Sequence, residues 1–260
     1  MYKDNRIVAC IIVRMKSQRL KEKAIKILVG KPMVVHLIER IKRSKYLDKI
    51  YICTSTNPSD AVLLDIAKHE SIEGFAGSER DVLGRLINVA EIEKADVVVR
   101  ITGDNPLTDP KIMDNMIKAH IDNDYEYTRT RGLPLGINSD VISVKALYKC
   151  RDLIENPEDS EYMMLYLNDP KNFKVQILNP EKDLERPTYF LSVDTADDFK
   201  VMSSIFERFY NKDKNFMLGE VIKFLDDNPE IAELNNNVPV KLPGGKSIPY
   251  KEFRNKNPSV

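Results

Sequence analysis

The sequence predicts an α/β fold: an open twisted sheet, mainly parallel, with helices on both faces. Residues 7–13 and 96–101 are largely apolar runs, which is typical of strands buried on both faces. Strand patterns alternate with helical patterns through the first half of the chain, as in βαβ units. Helix-start signals, Asn or Asp followed by Pro, occur at Asn57-Pro58 and Asp109-Pro110.

The elements of the first half follow in order. Strands are predicted over 7–13, 49–53, 72–76 and 96–101, and helices over 32–44, 57–70, 82–92 and from Pro110 onward. Pro32 stands at a helix start, and Val35, Ile38 and Ile41 follow at helical spacing. Ser78-Glu79-Arg80-Asp81 predicts a capping box with Ser78 as the N-cap of the third helix.

The second half has a looser pattern. Strands of mixed direction are predicted over 125–130, 136–144, 173–178 and 188–193, and helices over 195–209 and 218–225. We expect one domain over 1–227 that contains a smaller mixed α+β insertion. The Asn-, Pro- and Lys-rich residues 228–260 predict a tail that wraps the surface or is partly disordered.

Composition excludes several classes of protein. The chain is 42% hydrophobic and has no net charge, unlike disordered chains and nucleic-acid-binding proteins. No apolar run approaches the roughly 20 residues that span a bilayer, and no secretion signal is evident, so we expect a cytoplasmic protein without membrane partners. Cys10, Cys53 and Cys150 are too few and too scattered for a disulfide framework or a zinc site, and buried reduced thiols are expected.

Common catalytic motifs are absent. The chain has no G-x-x-x-x-G-K-[ST], no G-x-G-x-x-G after the first strand, no G-x-S-x-G and no H-E-x-x-H. His36, His69 and His120 lie in predicted helices without a catalytic or metal-binding pattern around them, so structural roles are favoured.

The loop after the first strand carries the strongest functional signal. Residues 14–26 contain six basic residues and one Glu. A charged run is most often a solvated surface. This one, however, leaves the carboxyl end of the predicted central strand, where open α/β sheets bind ligands. Lys and Arg in that position suit a polyphosphate.

Two aspartates follow predicted strands. Asp104 ends the segment 97–104, and Asp194 follows 191–193. Alternative roles are a turn residue beside Gly103 for Asp104 and helix capping for Asp194, since Thr195 and Asp198 look like an N-cap and its N3 partner. If both strands are central, the two carboxylates meet the basic loop at one edge of the sheet. One or two carboxylates, water and substrate phosphates form the usual environment of Mg²⁺.

Four motifs in order resemble the cytidylyltransferase family, which includes CMP-sugar synthetases. They are Arg14-x-x-Ser17-x-Arg19-Leu20-x-x-Lys23, Gly30-Lys31-Pro32-Met33, Gly103-Asp104-x-Pro106-Leu107 and Val193-Asp194-Thr195-x-x-Asp198-Phe199. The branch that is most similar is the SpsF-type spore-coat polysaccharide biosynthesis proteins, which the segments 77–83 and 183–187 also fit.

This resemblance implies a Rossmann-like sheet of the nucleotide-diphospho-sugar transferase type, similar to GT-A folds. It also implies transfer of CMP from CTP to a sugar acid or related small acceptor, with release of pyrophosphate and with Mg²⁺ as cofactor. Arg14, Arg19, Lys23 and Asp104 would be the catalytic residues, and Asp104 and Asp194 the metal ligands. The nucleotide would be bound by Ser17, Ala76, Gly77, Ser78, Arg80 and Asp81. Residues 125–185 would bind the acceptor and form a homodimer.

Three departures from the family pattern keep other functions open. Lys16 stands where the family usually has a small residue, and Lys21-Glu22 replace Pro-Gly. The segment 159–166 lacks the Glu-Arg-Glu-His pattern of the SpsF-type branch, which points to an unusual acceptor. A nucleotide-sugar-dependent glycosyltransferase and a nucleotide-binding module without catalysis are the alternatives.

Overall fold

Seven strands form the central sheet of the computed structural model, which describes residues 1–17, 19–241, 247–250 and 252–253. The sheet strands are β1 Ile7–Ile12, β4 Lys49–Ser55, β5 Glu73–Gly77, β6 Val97–Thr102, β7 Tyr127–Thr130, β8 Asp140–Ser143 and β9 Val175–Leu178. Two small ribbons pair β2 Ile27–Leu28 with β3 Lys31–Pro32, and β10 Pro239–Lys241 with β11 Ser247–Pro249. The α-helices are α1 Met33–Ile41, α2 Ala61–His69, α3 Val82–Glu93, α4 Pro110–Asp122, α5 Val144–Leu153, α6 Met163–Leu167, α7 Ala196–Phe209, α8 Leu218–Asp227 and α9 Pro229–Ala232.

The strand order is β5-β4-β1-β6-β8-β7-β9. β1 is parallel to both of its neighbours, β4 and β6, and β8 alone runs against the other sheet strands. The sheet is therefore open and mainly parallel, as predicted. Because β1 and β6 are adjacent and parallel, the segments that follow them leave the sheet at the same edge.

Helices cover both faces of the sheet. One face of β1 and β6 packs with α1, α2 and α4, and the other face packs with α3, α5 and α6. A third cluster joins α7 and α8 to Leu107, Leu191 and Val193, beyond the carboxyl end of β6. The three cysteines are buried and free, which confirms the expectation from the sequence. Within the described part of the chain, no helix combines the length and hydrophobicity that a bilayer crossing needs.

Most helix starts predicted in the first half are confirmed, although Asn57 caps a short 3-10 helix, Pro58–Asp60, that precedes α2. Asp109 caps α4 by accepting from the backbone N–H groups of Lys111 and Ile112. The predicted capping box at 78–81 is wrong, because the N-cap of α3 is Asp81, which accepts from Gly84 N. Ser78 lies one turn earlier, and its Oγ accepts from Asp81 N.

The second half departs further from the prediction. Residues 188–193 do not form a strand, and only an isolated bridge between Leu135 and Phe190 lies there. The strand predicted over 136–144 is shortened to β8, because Val144 begins a helix that Ser143 caps. Helices α5 and α6 were not predicted from the sequence pattern. In the second half of the chain, the observed strands form by pairing with β6 and β7. Parts of this half lie 30 or more residues from those two strands, so local sequence patterns do not indicate the pairing.

The predicted tail packs closely where it is described. Asn235, Val238 and Tyr250 are buried. Tyr250 packs its ring against Phe190 and donates its hydroxyl to Pro187 O. Residues 242–246, 251 and 254–260 of this tail lie outside the described part of the chain.

Candidate active site

The carboxyl ends of β1 and β6 form the floor of the site. Ile12 is in register with Thr102, and Gly103 N donates to Ile12 O at 2.9 Å. A Cβ at Gly103 would lie 2.6 Å from Val13 Cβ, so a larger residue cannot fit here without displacement. The close approach of these two segments places Asp104 directly beside the loop that follows β1.

Lys23 lies between the two aspartates singled out in the sequence. Its Nζ donates to Asp104 Oδ2 and to Asp194 Oδ1, each at 2.7 Å. Arg19 Nη2 pairs with the other oxygen of Asp194 at 2.8 Å. The side chains of Lys23, Asp104 and Asp194 are only 16, 22 and 23% exposed, so salt screens their interaction less than that of surface pairs.

Burial and charge oppose each other at this cluster. Burial alone would lower the pKa of Lys23, but the neighbouring carboxylates of Asp104 and Asp194 raise it above its ordinary value. Burial would likewise raise the pKa of Asp104, and the Lys23 ammonium outweighs that effect and holds this pKa below its ordinary value. Lys23 and Asp104 are therefore both charged at neutral pH.

Asp194 lies in an irregular segment just before α7 rather than at the end of a strand. Val193 N donates to Asp104 O at 2.9 Å, which links the two segments. Asp194 N donates to Asp198 Oδ2 at 3.0 Å, and Asp198 itself is buried. The placement of Asp194 at the end of a strand was wrong, but its meeting with Asp104 and the basic loop is observed.

A buried carboxylate fixes the start of the basic loop. Asp60 Oδ1 accepts from Met15 N at 2.7 Å, and Asp60 Oδ2 accepts from Ser55 Oγ at 2.5 Å. Burial would raise the pKa of Asp60, and the hydrogen bonds from Ser55 and Met15 lower it below its ordinary value. Asp60 thus joins the loop to the end of β4, a role that its position in the Asn57-Pro58 segment did not indicate.

The basic loop forms one wall of a cleft of about 610 Å³. Six basic and four acidic side chains line it, so the lining is positive overall. The lining residues are Ile12, Val13, Arg14, Lys16, Ser17, Arg19, Lys23, Ala24, Glu79, Val82, Arg85, Arg100, Thr102, Gly103, Asp104, Glu161, Tyr162 and Asp194.

The structure brings together six of the residues selected from the sequence. These six, which all line the cleft, are Arg14, Ser17, Arg19, Lys23, Asp104 and Asp194. The other five, none of which is in the lining, are Ala76, Gly77, Ser78, Arg80 and Asp81. The Asp81 side chain caps α3, and Arg80, which is exposed, pairs with Glu158. The part of 76–81 that meets the cleft is Glu79, whose backbone oxygen accepts from Arg14 Nη1 at 3.0 Å.

Two further arginines, which were not selected from the sequence, line the cleft. Arg100 lies in the middle of β6 and pairs with Asp140 Oδ2 on β8 at 2.9 Å. Arg85 lies near the start of α3 and is 1% exposed. A charged residue inside a largely apolar strand was a usable signal for Arg100. Arg85 left no such signal, because a basic residue is common on a helix.

The carboxylates of Asp104 and Asp194 suit a divalent cation whose remaining ligands include substrate phosphates. Among the described residues, no group of three or more His, Cys, Asp or Glu could hold a metal ion. Asp104 and Asp194 nevertheless share one cationic partner, the Lys23 ammonium, so their oxygens already converge on a single position. Mg²⁺ commonly takes one or two carboxylates and completes its shell with water and phosphate.

The chain is similar to known proteins over most of its length. The sequence profile of the family described as cytidylyltransferase matches residues 8–214. An uncharacterised protein of Methanocaldococcus jannaschii is 34% identical over 90% of this chain and 96% of its own length. The spore coat polysaccharide biosynthesis protein SpsF of Bacillus subtilis is 32% identical over 88% of this chain and 97% of its own length.

One solved structure has a fold similar to that of this chain over most of its length. The structure of a cytidylyltransferase from Leptospira borgpetersenii superposes with a TM-score of 0.80, at 26% identity over 87% of this chain and 95% of that chain. The resemblance found in the sequence motifs is confirmed at the level of the whole fold. The chain belongs to the cytidylyltransferase family and is a CTP-dependent cytidylyltransferase related to SpsF.

Proposed function

We propose that this enzyme transfers CMP from CTP to an acid-bearing small molecule, a sugar acid or a related compound, in the biosynthesis of a surface polysaccharide or glycoconjugate. The observation that carries the proposal is the convergence of Lys23, Asp104 and Asp194 on one position at the edge of the sheet. A cationic loop beside two carboxylates is suited to a metal-bound triphosphate.

The reaction depends on positioning and charge. An acceptor oxygen attacks the α-phosphorus of CTP, a new P–O bond forms, and the bond to the β-phosphate breaks. Arg14, Arg19 and Lys23 would hold the triphosphate together with Ser17, and their charges offset the charge that grows on the leaving pyrophosphate. Asp104 and Asp194 would hold Mg²⁺, which supplies further neutralisation of phosphate charge when it is bound.

The base and the acceptor would occupy different parts of the cleft. The stretch 76–81 would help to bind cytosine, with Glu79 at the cleft itself. Arg100, Thr102 and Tyr162 line the part formed by β6 and the segment before α6. A guanidinium and two hydroxyls suit an acceptor that has an acidic group and several hydroxyls.

The glycosyltransferase alternative gains no support from the carboxylates near Asp194. Asp197 pairs with Lys200 at the surface, and the buried Asp198 is bonded to Thr195 and Asn235. These side chains are committed to α7 and the segment after α9, so they do not add metal ligands to Asp194.

Nucleotide-dependent thermal shifts test the first half of the proposal. CTP with Mg²⁺ should raise the melting temperature, since a ligand at 100 times its dissociation constant adds about 2.7 kcal/mol of stability. ATP and GTP should not. Equal shifts with all nucleotides would mean that only the triphosphate is bound. Turnover with a panel of sugar acids and other acidic acceptors, measured by mass spectrometry of the CMP adduct, then identifies the acceptor.

Asp104→Asn should lower turnover by at least about 100-fold, the scale for losing one well-placed group that stabilises charge. The fold should survive, because the substitution removes no apolar contact. Steady-state rates and a melting curve measure the two effects. Asp114→Asn is the matched control, because Asp114 is also largely buried but does not line the cleft, and its turnover should stay unchanged. Near-wild-type turnover of Asp104→Asn would remove Asp104 from the site.

A further inference from the structure

Arg85 has an unusual set of contacts for a buried charge. Its side chain is 1% exposed. Nη1 donates to Ser78 O at 3.1 Å, whereas Nε and Nη2 are shielded from solvent and have no hydrogen-bond partner. No ion pair found among the described residues includes Arg85, and the nearby Arg14 adds to the positive charge. Burying such donors without partners is costly, so they call for an explanation.

The two unpartnered nitrogens lie on one edge of the guanidinium. The Nε–H and Nη2–H bonds are roughly parallel, so this edge can donate to two adjacent acceptors in one plane. Nη1, on the other side, is held by the backbone of Ser78. The group that would satisfy Arg85 is therefore planar and presents two neighbouring acceptor atoms.

Position in the cleft narrows the choice of ligand. Arg85 lies in the cleft wall beside Glu79 and Val82. Its Cγ would lie 2.9 Å from a Cβ at Gly77, so it packs directly against the stretch 76–81. Lys23, which is suited to the triphosphate, is paired with Asp104 and Asp194, whereas the stretch beside Arg85 is the one assigned to the base.

We propose that Arg85 selects cytosine over uracil, its Nε and Nη2 donating to O2 and N3 of the base. This inference rests on the proposed function. Both of those cytosine atoms are acceptors, so the guanidinium edge matches them. In uracil the N3 atom carries a hydrogen and is a donor, which leaves Nη2 facing another donor. The Nε–Nη2 edge of Arg85 therefore favours cytosine, with which it forms two hydrogen bonds, and disfavours uracil, which leaves donors unpaired.

Binding of CTP and of UTP to the full chain, each with Mg²⁺, tests this inference by calorimetry. Arg85→Gln should weaken CTP binding by roughly 10- to 100-fold and change UTP binding by no more than about threefold. Arg85→Lys keeps the charge but lacks the paired donors, so it should lose the preference for CTP as well. Arg40→Gln is the matched control: Arg40 is also buried and donates to the backbone oxygens of Thr108 and Phe216, but it does not line the cleft.

The possible outcomes test the role of Arg85 separately from the proposed function. Loss of the preference for CTP over UTP in both Arg85 variants, with the preference kept in Arg40→Gln, supports the assignment. An equal loss of both nucleotides in the Arg85 variants, or an unchanged preference, overturns it and leaves the proposed function standing. If Arg85→Gln does not fold, Arg85→Lys decides, and a wild-type preference in that variant overturns the assignment. Wild-type protein that binds neither nucleotide would overturn the proposed function and this inference together.

Discussion

Lys23 shows how far single residues could be interpreted from the sequence. Its place in a basic loop after β1 predicted a phosphate-binding role, and Asp104 was expected beside it because parallel strands end at the same edge. The structure pairs Lys23 with both aspartates. In the proposed reaction, Lys23 would exchange carboxylate partners for phosphate oxygens as the nucleotide binds. Arg85 was missed, since only its position in the folded chain makes its free donors noticeable.

Lys16 is the residue that departs most from the family pattern. Its side chain is 70% exposed and its Nζ lies 3.3 Å from Glu79 Oε1, so it stands at the rim of the cleft. We expect it to add a phosphate contact rather than to obstruct the site, because a flexible stem can swing outward. Lys16→Gly should weaken CTP binding at low salt by up to about 1 kcal/mol, and the difference should shrink as salt increases.

Titration calorimetry at two salt concentrations measures this effect. Lys16→Gln separates the charge from the flexibility that glycine adds to the loop. Tighter CTP binding or faster turnover in Lys16→Gly would identify Lys16 as an obstruction and favour the reading of the chain as a binding module.

At the scale of elements, the start of α7 positions Asp194, one of the two candidate metal ligands. Thr195 and Asp198 form a capping box, and the same Asp198 carboxylate accepts from Asp194 N. The capping box was predicted from the sequence, because it needs only residues three positions apart. The cap also holds Asp194 against the end of β6. This placement depends on contacts between segments about 90 residues apart, such as the hydrogen bond from Val193 N to Asp104 O.

Thr195→Ala should lower the free energy of unfolding by about 1 kcal/mol, the usual cost of losing an N-cap side chain. It should also lower turnover, since Asp194 is the preceding residue and its backbone N–H donates to the same Asp198 oxygen as that of Thr195. Chemical denaturation and steady-state rates measure the two effects.

Ser143→Ala is the matched control for this change. Ser143 caps α5 by accepting from Ala146 N, and it does not line the cleft. A similar loss of stability with unchanged turnover is expected there. If Thr195→Ala and Ser143→Ala reduce turnover equally, the cap has no particular role in placing Asp194.

At the scale of the whole molecule, distant segments complete the site. Arg19, in the loop after β1, donates to Pro239 O, and Asn235 donates to Asp198 Oδ1. The residues after 228 therefore contact both the basic loop and the α7 cap. The composition of this segment suggested a surface tail, because Asn, Pro and Lys are common in such tails and the few buried positions have no periodic pattern.

Tyr250→Ala tests how firmly this segment is attached. The ring is fully buried and the hydroxyl donates to the backbone oxygens of Pro187 and Tyr189. Loss of a large buried aromatic ring should cost about 3–5 kcal/mol, whereas Tyr250→Phe should cost about 1 kcal/mol for the hydrogen bonds alone. Denaturant titration measures both, and a cost near zero for Tyr250→Ala would mean that the segment is not part of the stable fold.

Because His120 is buried, we expect the folded protein to lose stability in acid. Burial lowers its pKa from 6.5 to about 4, and Nδ1 lies 2.9 Å from Thr128 Oγ1. Between these pH values the unfolded chain binds a proton that the folded chain does not, so stability falls as pH decreases from about 6.5 to 4. The contribution is roughly 3 kcal/mol across that window.

Melting temperatures of wild type and His120→Gln at pH 7 and pH 4.5 measure this contribution. The variant should lose less stability than wild type on acidification. His69→Gln, on the exposed side of α2, should behave as wild type does. Parallel pH profiles for wild type and His120→Gln would contradict the assignment.

The sequence by itself determined the features that depend on near neighbours along the chain. It predicted the alternation of strands and helices through α4, the caps at Asp109 and Thr195, the basic loop and the aspartate that follows β6. Tertiary structure decided the antiparallel insertion of β8, the position of Asp194, the contact of Asp60 with the basic loop, and the meeting of Arg85 and Arg100 with the cleft. Periodicity and capping are local, so a few residues specify them. The direction of a strand and the partner of a buried charge are selected by packing between segments far apart in the sequence, and only the folded chain contains that information.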